Sequence, residues 1–153
     1  MMSRLSFAAV LVLFVAAFGV APAEAACTVS AGGINFGGYD VFSGSHDDAT
    51  GIVSWSCTKK NEAVTITMNT GGSGTFSPRR MGGPGGDNLD YNIYTDASRT
   101  TIWGDSTGGT GYYFNAGVPK NTTVNVTAYA RIFSGQDISG GSYSDTVTVT
   151  IFF

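Results

Sequence analysis

The side chains able to do chemistry are few: one histidine, two cysteines and eleven Asp and Glu residues among 153. His46 stands beside Asp47 and Asp48 in the run Gly44-Ser-His-Asp-Asp48, a grouping that could move a proton or bind a metal. Neither reading gathers support. No serine or cysteine near it has the setting of an activated nucleophile, and a lone histidine with two cysteines falls short of four structural zinc ligands. Asp87, Asn88 and Asp90 offer oxygen atoms, but not at the spacing of a calcium loop; turn formation accounts for them better. The expectation is a solvated loop at His46, with no catalytic residue, no metal and no cofactor. Arg79 and Arg80 form either a ligand-binding patch or, the favoured reading, a turn closed by hydrogen bonds to Asp87, Asp90 or Asp96. Asn121-Thr-Thr123 and Asn125-Val-Thr127 fit the glycosylation pattern, which matters only where that machinery exists.

The two cysteines, Cys27 and Cys57, are informative only with their compartment. Arg4 precedes an apolar run from Phe7 to Val20, and Ala23-Glu24-Ala25 supplies small residues at a cleavage point, the pattern of a secretory signal peptide over 1–25. The run is shorter than the roughly 20 residues of a spanning helix, and Pro22 interrupts it. A lipid anchor on Cys27 is disfavoured, because Glu24 stands where that signal wants an aliphatic residue. In an oxidising compartment two cysteines with no third thiol are expected to pair. The formal charge of −3, spread thinly, gives no reason for attraction to nucleic acid or anionic lipid.

The elements that must position these groups read as strands. After Ala26, β-branched and aromatic stretches recur between glycine-rich turns, and no stretch has useful helical periodicity. Strands are expected over Ile34–Phe42, Gly51–Cys57, Ala63–Asn69, Leu89–Thr95, Thr122–Phe133 and Tyr143–Phe153, with shorter pieces near Ile102 and Tyr112. Residues 71–87 and 106–111 read as loops. The whole is one all-β domain over 26–153, a sandwich of two sheets. In the last strand Tyr143, Val147, Val149, Ile151 and Phe153 share a face opposite Ser144, Thr146, Thr148 and Thr150. No later segment of the sequence supplies it with a neighbour, and no charge or proline blunts its edge as edge strands normally require. Asp145 is the odd residue on the apolar face; burial there demands a partner, and Arg131 or Arg80 is expected. Tyr112, Tyr113 and Phe114 read either as an exposed aromatic finger for a surface or sugar, or as a short core strand, the second being favoured.

The ordered set Cys27-Thr-Val, Ile34-Asn-Phe-Gly-Gly-Tyr-Asp40, Trp55-Ser-Cys57, Arg80-Met81, Leu89-Asp-Tyr-Asn-Ile-Tyr94, Trp103-Gly104 and Gly141-Ser-Tyr-Ser-Asp-Thr-Val-Thr-Val-Thr-Ile-Phe-Phe153 resembles the spore coat protein U domain family. That family includes subunits of the archaic, Csu-type chaperone-usher pili, and the resemblance spans the mature chain. It implies an immunoglobulin-like sandwich lacking its final strand, completed first by a periplasmic chaperone and then by another subunit, with an outer-membrane usher assembling the fibre. Val147, Val149, Ile151 and Phe153 would line the acceptor groove, although in a complete sandwich they would be ordinary core. The family's major subunits carry a donor strand ahead of the first cysteine, whereas cleavage after Ala25 leaves only Ala26 here. The expectation is therefore a subunit that accepts but does not donate, at a fibre tip or outside a fibre. Cleavage ahead of Val10–Val20 would instead leave an apolar donor. A freestanding carbohydrate-binding or spore-coat module is the alternative, and a secreted hydrolase using His46 and Asp47 the weakest reading.

Overall fold

The computed structural model describes residues 26–153; the expected leader over 1–25 lies outside them. Eight strands follow in chain order: β1 Cys27–Ala31, β2 Asp47–Cys57, β3 Val64–Met68, β4 Arg79–Gly82, β5 Asn88–Tyr94, β6 Tyr113–Asn115, β7 Val124–Ile132 and β8 Val149–Phe152. The helical elements among the described residues are two short 3-10 turns, at Gly71–Ser73 and Pro84–Gly86. One sheet has the order β1-β2-β7-β5-β4 and the other β6-β3-β8, every named pair being antiparallel. This is the expected immunoglobulin-like β-sandwich.

Period-two alternation builds the core. Val53, Trp55 and Cys57 of β2, Ala128, Ala130 and Ile132 of β7 and Ile93 of β5 meet Val64, Ile66 and Met68 of β3 in one buried cluster. Trp103 is fully buried among them, and its indole Nε1 donates to the Ile66 carbonyl at 2.9 Å, tying the loop before β6 to the three-stranded sheet. Cys27 lies directly opposite Cys57 in the β1–β2 register, and the two form the disulfide.

Three expectations need correction. Ile34–Phe42 is not a strand. Asn35 Oδ1 accepts from Gly37 N and Asp40 Oδ1 from Phe42 N, both at 2.9 Å, and Gly37 takes φ 79°. Side-chain turns thus override the apolar alternation, although Ile34, Phe36 and Tyr39 still pack on the core. The last strand pairs in a regular ladder only over Val149–Phe152. Finally, β1 and β4 lie outside the expected strands: β1 is five residues beside the expected leader, and β4 is a charged segment between Pro78 and Gly83 inside a stretch read as loop.

Candidate functional site

The row from Tyr143 to Phe152 has partners on one side only. Ser144 exchanges both main-chain bonds with Gly82 (3.0 and 3.1 Å). Asn69 N donates to Thr148 O (3.1 Å), and Thr148 N returns a bond to the Asn69 side chain (2.8 Å). Beyond that, Thr150 and Phe152 sit opposite Thr67 and Thr65 of β3. In an antiparallel ladder a residue directs its N–H and C=O to the same side, and successive residues alternate. The even residues therefore face β4 and β3, while Asp145, Val147, Val149 and Ile151 direct theirs to the other edge. Among the described residues no strand pairs there. The outer edge of β1 is in the same condition: Ala26 and Gly32 bond to Thr58 and Ile52, so Cys27, Val29 and Ala31 turn outward.

Between these edges lies a cleft of about 380 Å³. Ala31 to Ile34 and Phe36 form one wall and Tyr143 to Val147 with Val149 the other, while Val53, Met68, Met81, Tyr91, Ile93 and Ala128 supply an apolar floor. Of the residues proposed from sequence for a groove, Val147 and Val149 line this cleft. Ile151 is half-buried against the core beyond its end, and Phe153 is 54% exposed, outside it.

One polar cluster holds the wall in place. Asp145 accepts the Tyr91 hydroxyl at 2.7 Å, Gly72 N at 2.8 Å and its neighbour Thr146 N at 2.7 Å. Three donors satisfy the carboxylate, and neither Arg131 nor Arg80 reaches it. Arg131 instead grips Asp48 through Nε and NH2 (2.7 and 2.8 Å), and Arg80 pairs with Asp90 (3.0 Å). Burial, reinforced by the hydrogen bond to Asp145, pushes the Tyr91 hydroxyl far above its ordinary range, so it stays protonated and donating. Gly71 is required here: its φ is 68°, and a Cβ would collide with the Asp145 carboxylate.

Arg79, the neighbour of Arg80, lies fully buried behind the cleft. Its guanidinium donates to Asn69 O (3.0 and 2.8 Å), Trp103 O (2.7 Å) and Asn92 Oδ1 (2.9 Å), with the Phe76 ring centroid 5.2 Å away. Both arginines are structural, as expected, but Arg79 is satisfied by carbonyls and an amide in place of a carboxylate. Its five donors allow this, and burial pulls its pKa below the ordinary arginine value. Nothing in the local sequence distinguishes it from Arg80.

The remaining candidates divide. His46 Nδ1 accepts from Ser134 N at 3.0 Å, and its ring stacks edge-on to Phe133. No group of three potential metal ligands occurs among the described residues. Tyr112, Tyr113 and Phe114 combine the two readings offered for them. Tyr113 turns inward toward Trp55 and Trp103 (centroids 6.5 and 6.3 Å), whereas Tyr112 and Phe114 are exposed.

Comparison with known proteins agrees with this architecture. The profile of the Spore Coat Protein U domain matches residues 13–150. Protein U of Myxococcus xanthus is 38% identical over 145 residues, covering 84% of this chain and 78% of its own length. Among solved structures, a chain of the CsuC-CsuE chaperone-tip adhesion subunit pre-assembly complex, from the archaic chaperone-usher Csu pili of Acinetobacter baumannii, superposes with TM-score 0.61 at 23% identity. That match covers 85% of this chain but only 40% of the other, and speaks for the fold. By the extent of the profile match and the identity to Protein U, the chain belongs to the Spore Coat Protein U domain family.

Proposed function

We propose that this chain is a secreted structural or adhesive subunit, not an enzyme, that is completed at the cell surface by a strand from another protein. The observation that carries the reading is the outward row of Val147, Val149 and Ile151 main-chain groups, the first two residues lining an apolar cleft and the third continuing the same edge beyond it. An added strand would gain affinity from main-chain hydrogen bonds and specificity from alternate side chains reaching the floor. The partners that follow are a periplasmic chaperone, an outer-membrane usher and other pilus subunits; the similar Csu chain, a tip adhesion subunit in complex with its chaperone, supports the first of these. The route would be the general secretory path through the periplasm.

The geometry sets one condition. A strand seated between two others holds them about 10 Å apart, and β1 approaches β8 within 8 Å between Cα atoms. The incoming strand would enter at the open cleft, along 31–36 and 143–149, and part β1 from β8 as it advances. Processing after Ala25 would make the subunit an acceptor without its own donor, suited to a fibre tip; N-terminal sequencing of the exported chain decides that point.

The test is co-purification with a candidate chaperone encoded beside the subunit. Val149→Asp puts a carboxylate into the cleft wall, where an unpaired buried charge costs several kcal/mol, and should abolish capture while leaving export intact. Capture of the variant at wild-type yield would overturn strand donation.

A further inference from the structure

The chain's three lysines gather at one end of the sandwich. Lys59 and Lys60 lie on the turn between β2 and β3, and Lys120 on the turn between β6 and β7. Main-chain bonds from Asn61 N to Val118 O (2.9 Å) and from Asn121 N to Cys57 O (2.8 Å) hold the two turns side by side. All three lysines are exposed, and Glu62, 3.6 Å from Lys59, is their one carboxylate partner among the described residues. Phe114, Phe152 and Phe153, all more than half exposed, sit at the same end, with Phe114 and Phe152 flanking Thr65 near the start of β3.

The opposite end has the opposite sign. Asp47 begins β2 there and Asp40 lies on the loop before it. Asp137 joins them, because Gln136 N donates to the Tyr39 hydroxyl at 2.8 Å. None of these three carboxylates is in an ion pair among the described residues; Arg131 and Arg99 both pair with Asp48. Phe42, 95% exposed, stands among them. The two ends are separated by the 11 residues of β2, roughly 33 Å of strand. That distance is several times the roughly 8 Å over which charge is felt at physiological salt, so the ends cannot neutralise each other within one molecule.

We infer that the lysine end of one copy docks on the aspartate end of a second copy, head to tail. Each face has exposed phenylalanine beside charged groups, an apolar centre with a polar rim as interfaces require. Three lysines, one of them paired with Glu62, meet three carboxylates outside any ion pair among the described residues, while the Arg131 and Arg99 charges at that end are taken up by Asp48. Such a heterologous contact does not close on itself and propagates as a linear array. It uses neither the cleft nor the outward main-chain groups of Val147, Val149 and Ile151, taking from β8 only the exposed Phe152 side chain, so it stands or falls independently of strand donation.

The test compares three proteins by sedimentation velocity: the exported chain, a Lys59→Glu/Lys60→Glu/Lys120→Glu variant and an Asp40→Lys/Asp47→Lys/Asp137→Lys variant. Each is taken alone or as its complex with a strand-donating chaperone, with tryptophan fluorescence confirming the native core. The exported chain should associate at about 0.01 M ionic strength and dissociate near 1 M. Each reversed variant should stay monomeric, and their equimolar mixture should associate again. An exported chain that stays monomeric at low salt, a mixture that fails to associate, or lysine-dependent binding to anionic vesicles without self-association would each overturn the inference. Adding Val149→Asp should leave head-to-tail association unchanged, which separates its failure from that of the groove.

Discussion

β2 and β8 are written in the same alphabet, alternating apolar with threonine or serine, yet they end in different states. β2 is paired on both sides, by β1 over Ala31–Cys27 and by β7 over nine residues, and its inward side chains are almost wholly buried. β8 is paired with β3 alone, its inward residues Val149 and Ile151 are half-buried, and their main-chain groups turn to an edge that no strand pairs among the described residues, Val149 lining the apolar cleft. Alternation fixes which side chains turn inward; it does not decide whether the backbone is satisfied on both sides. An edge of this kind is a liability in a free protein and a template for another strand.

Breaking the saturated region should have the largest effect. Arg79→Leu removes the donors to Trp103 O and Asn92 Oδ1, in buried bonds, and to Asn69 O, in part-buried ones. Leaving such groups unpaired is expected to cost about 3 to 5 kcal/mol or to prevent folding, read as lost soluble export or a lowered denaturation midpoint. Next in size, replacing both Cys27 and Cys57 by serine opens a loop whose ends are 30 residues apart. The chain-entropy relation puts this at roughly 3 to 4 kcal/mol, measurable by urea denaturation with and without reductant. A loss below about 1 kcal/mol would mean that the β1–β2 ladder holds its register unaided.

At the open region the same size of perturbation should separate binding from folding. Asp145→Asn can keep its oxygen on the Gly72 and Thr146 amides and turn its NH2 to the Tyr91 hydroxyl, which can accept that bond, so it removes the charge but leaves each group a partner and should lower stability by about 1 kcal/mol or less. Asp145→Ala leaves the Tyr91 hydroxyl and the Gly72 amide without their acceptor and should cost more, about 1 to 3 kcal/mol. Equal losses from the two would show that the charge, not the hydrogen bonds, holds the wall.

The smallest expected effect concerns pH. The hydrogen bonds from Arg131 hold the Asp48 carboxyl below its ordinary range. A depressed carboxylate adds stability that is present above its unfolded value, near 4, and is lost as pH falls through the lower folded value. Because the pair is partly exposed, that contribution should be under about 1 kcal/mol. Asp48→Asn should therefore lower stability by that small amount at neutral pH and leave it almost unchanged at pH well below about 4, flattening the acid limb of the stability curve slightly.

The sandwich was legible because its signal is periodic: the inward rows of β2, β3 and β7 could be read from alternate residues alone. The unpaired edge was legible for the same reason, since Val147 and Val149 fall on the apolar register. Asp145 was recognised as anomalous but assigned the wrong partners. Its donors, the Tyr91 hydroxyl and the Gly72 amide, come from segments 54 and 73 residues away, and nothing local marks a neutral hydrogen bond. Arg79 was indistinguishable from Arg80 because alternation along a four-residue strand, buried then exposed, leaves too short a pattern to read. Ile34–Phe42 misled through its apolar residues, which do pack on the core, while Asn35 and Asp40 turned the backbone out of a ladder.

Site-resolved amide hydrogen exchange along 143–152, with and without a captured partner strand, tests the central claim most directly. In the free chain Thr148 and Thr150 should be protected by Asn69 and β3, while Val147, Val149 and Ile151 exchange quickly; partner binding should slow those three selectively. Protection of Val147, Val149 and Ile151 in the free chain, unchanged by a partner, would contradict an accepting edge and show that the sandwich completes itself.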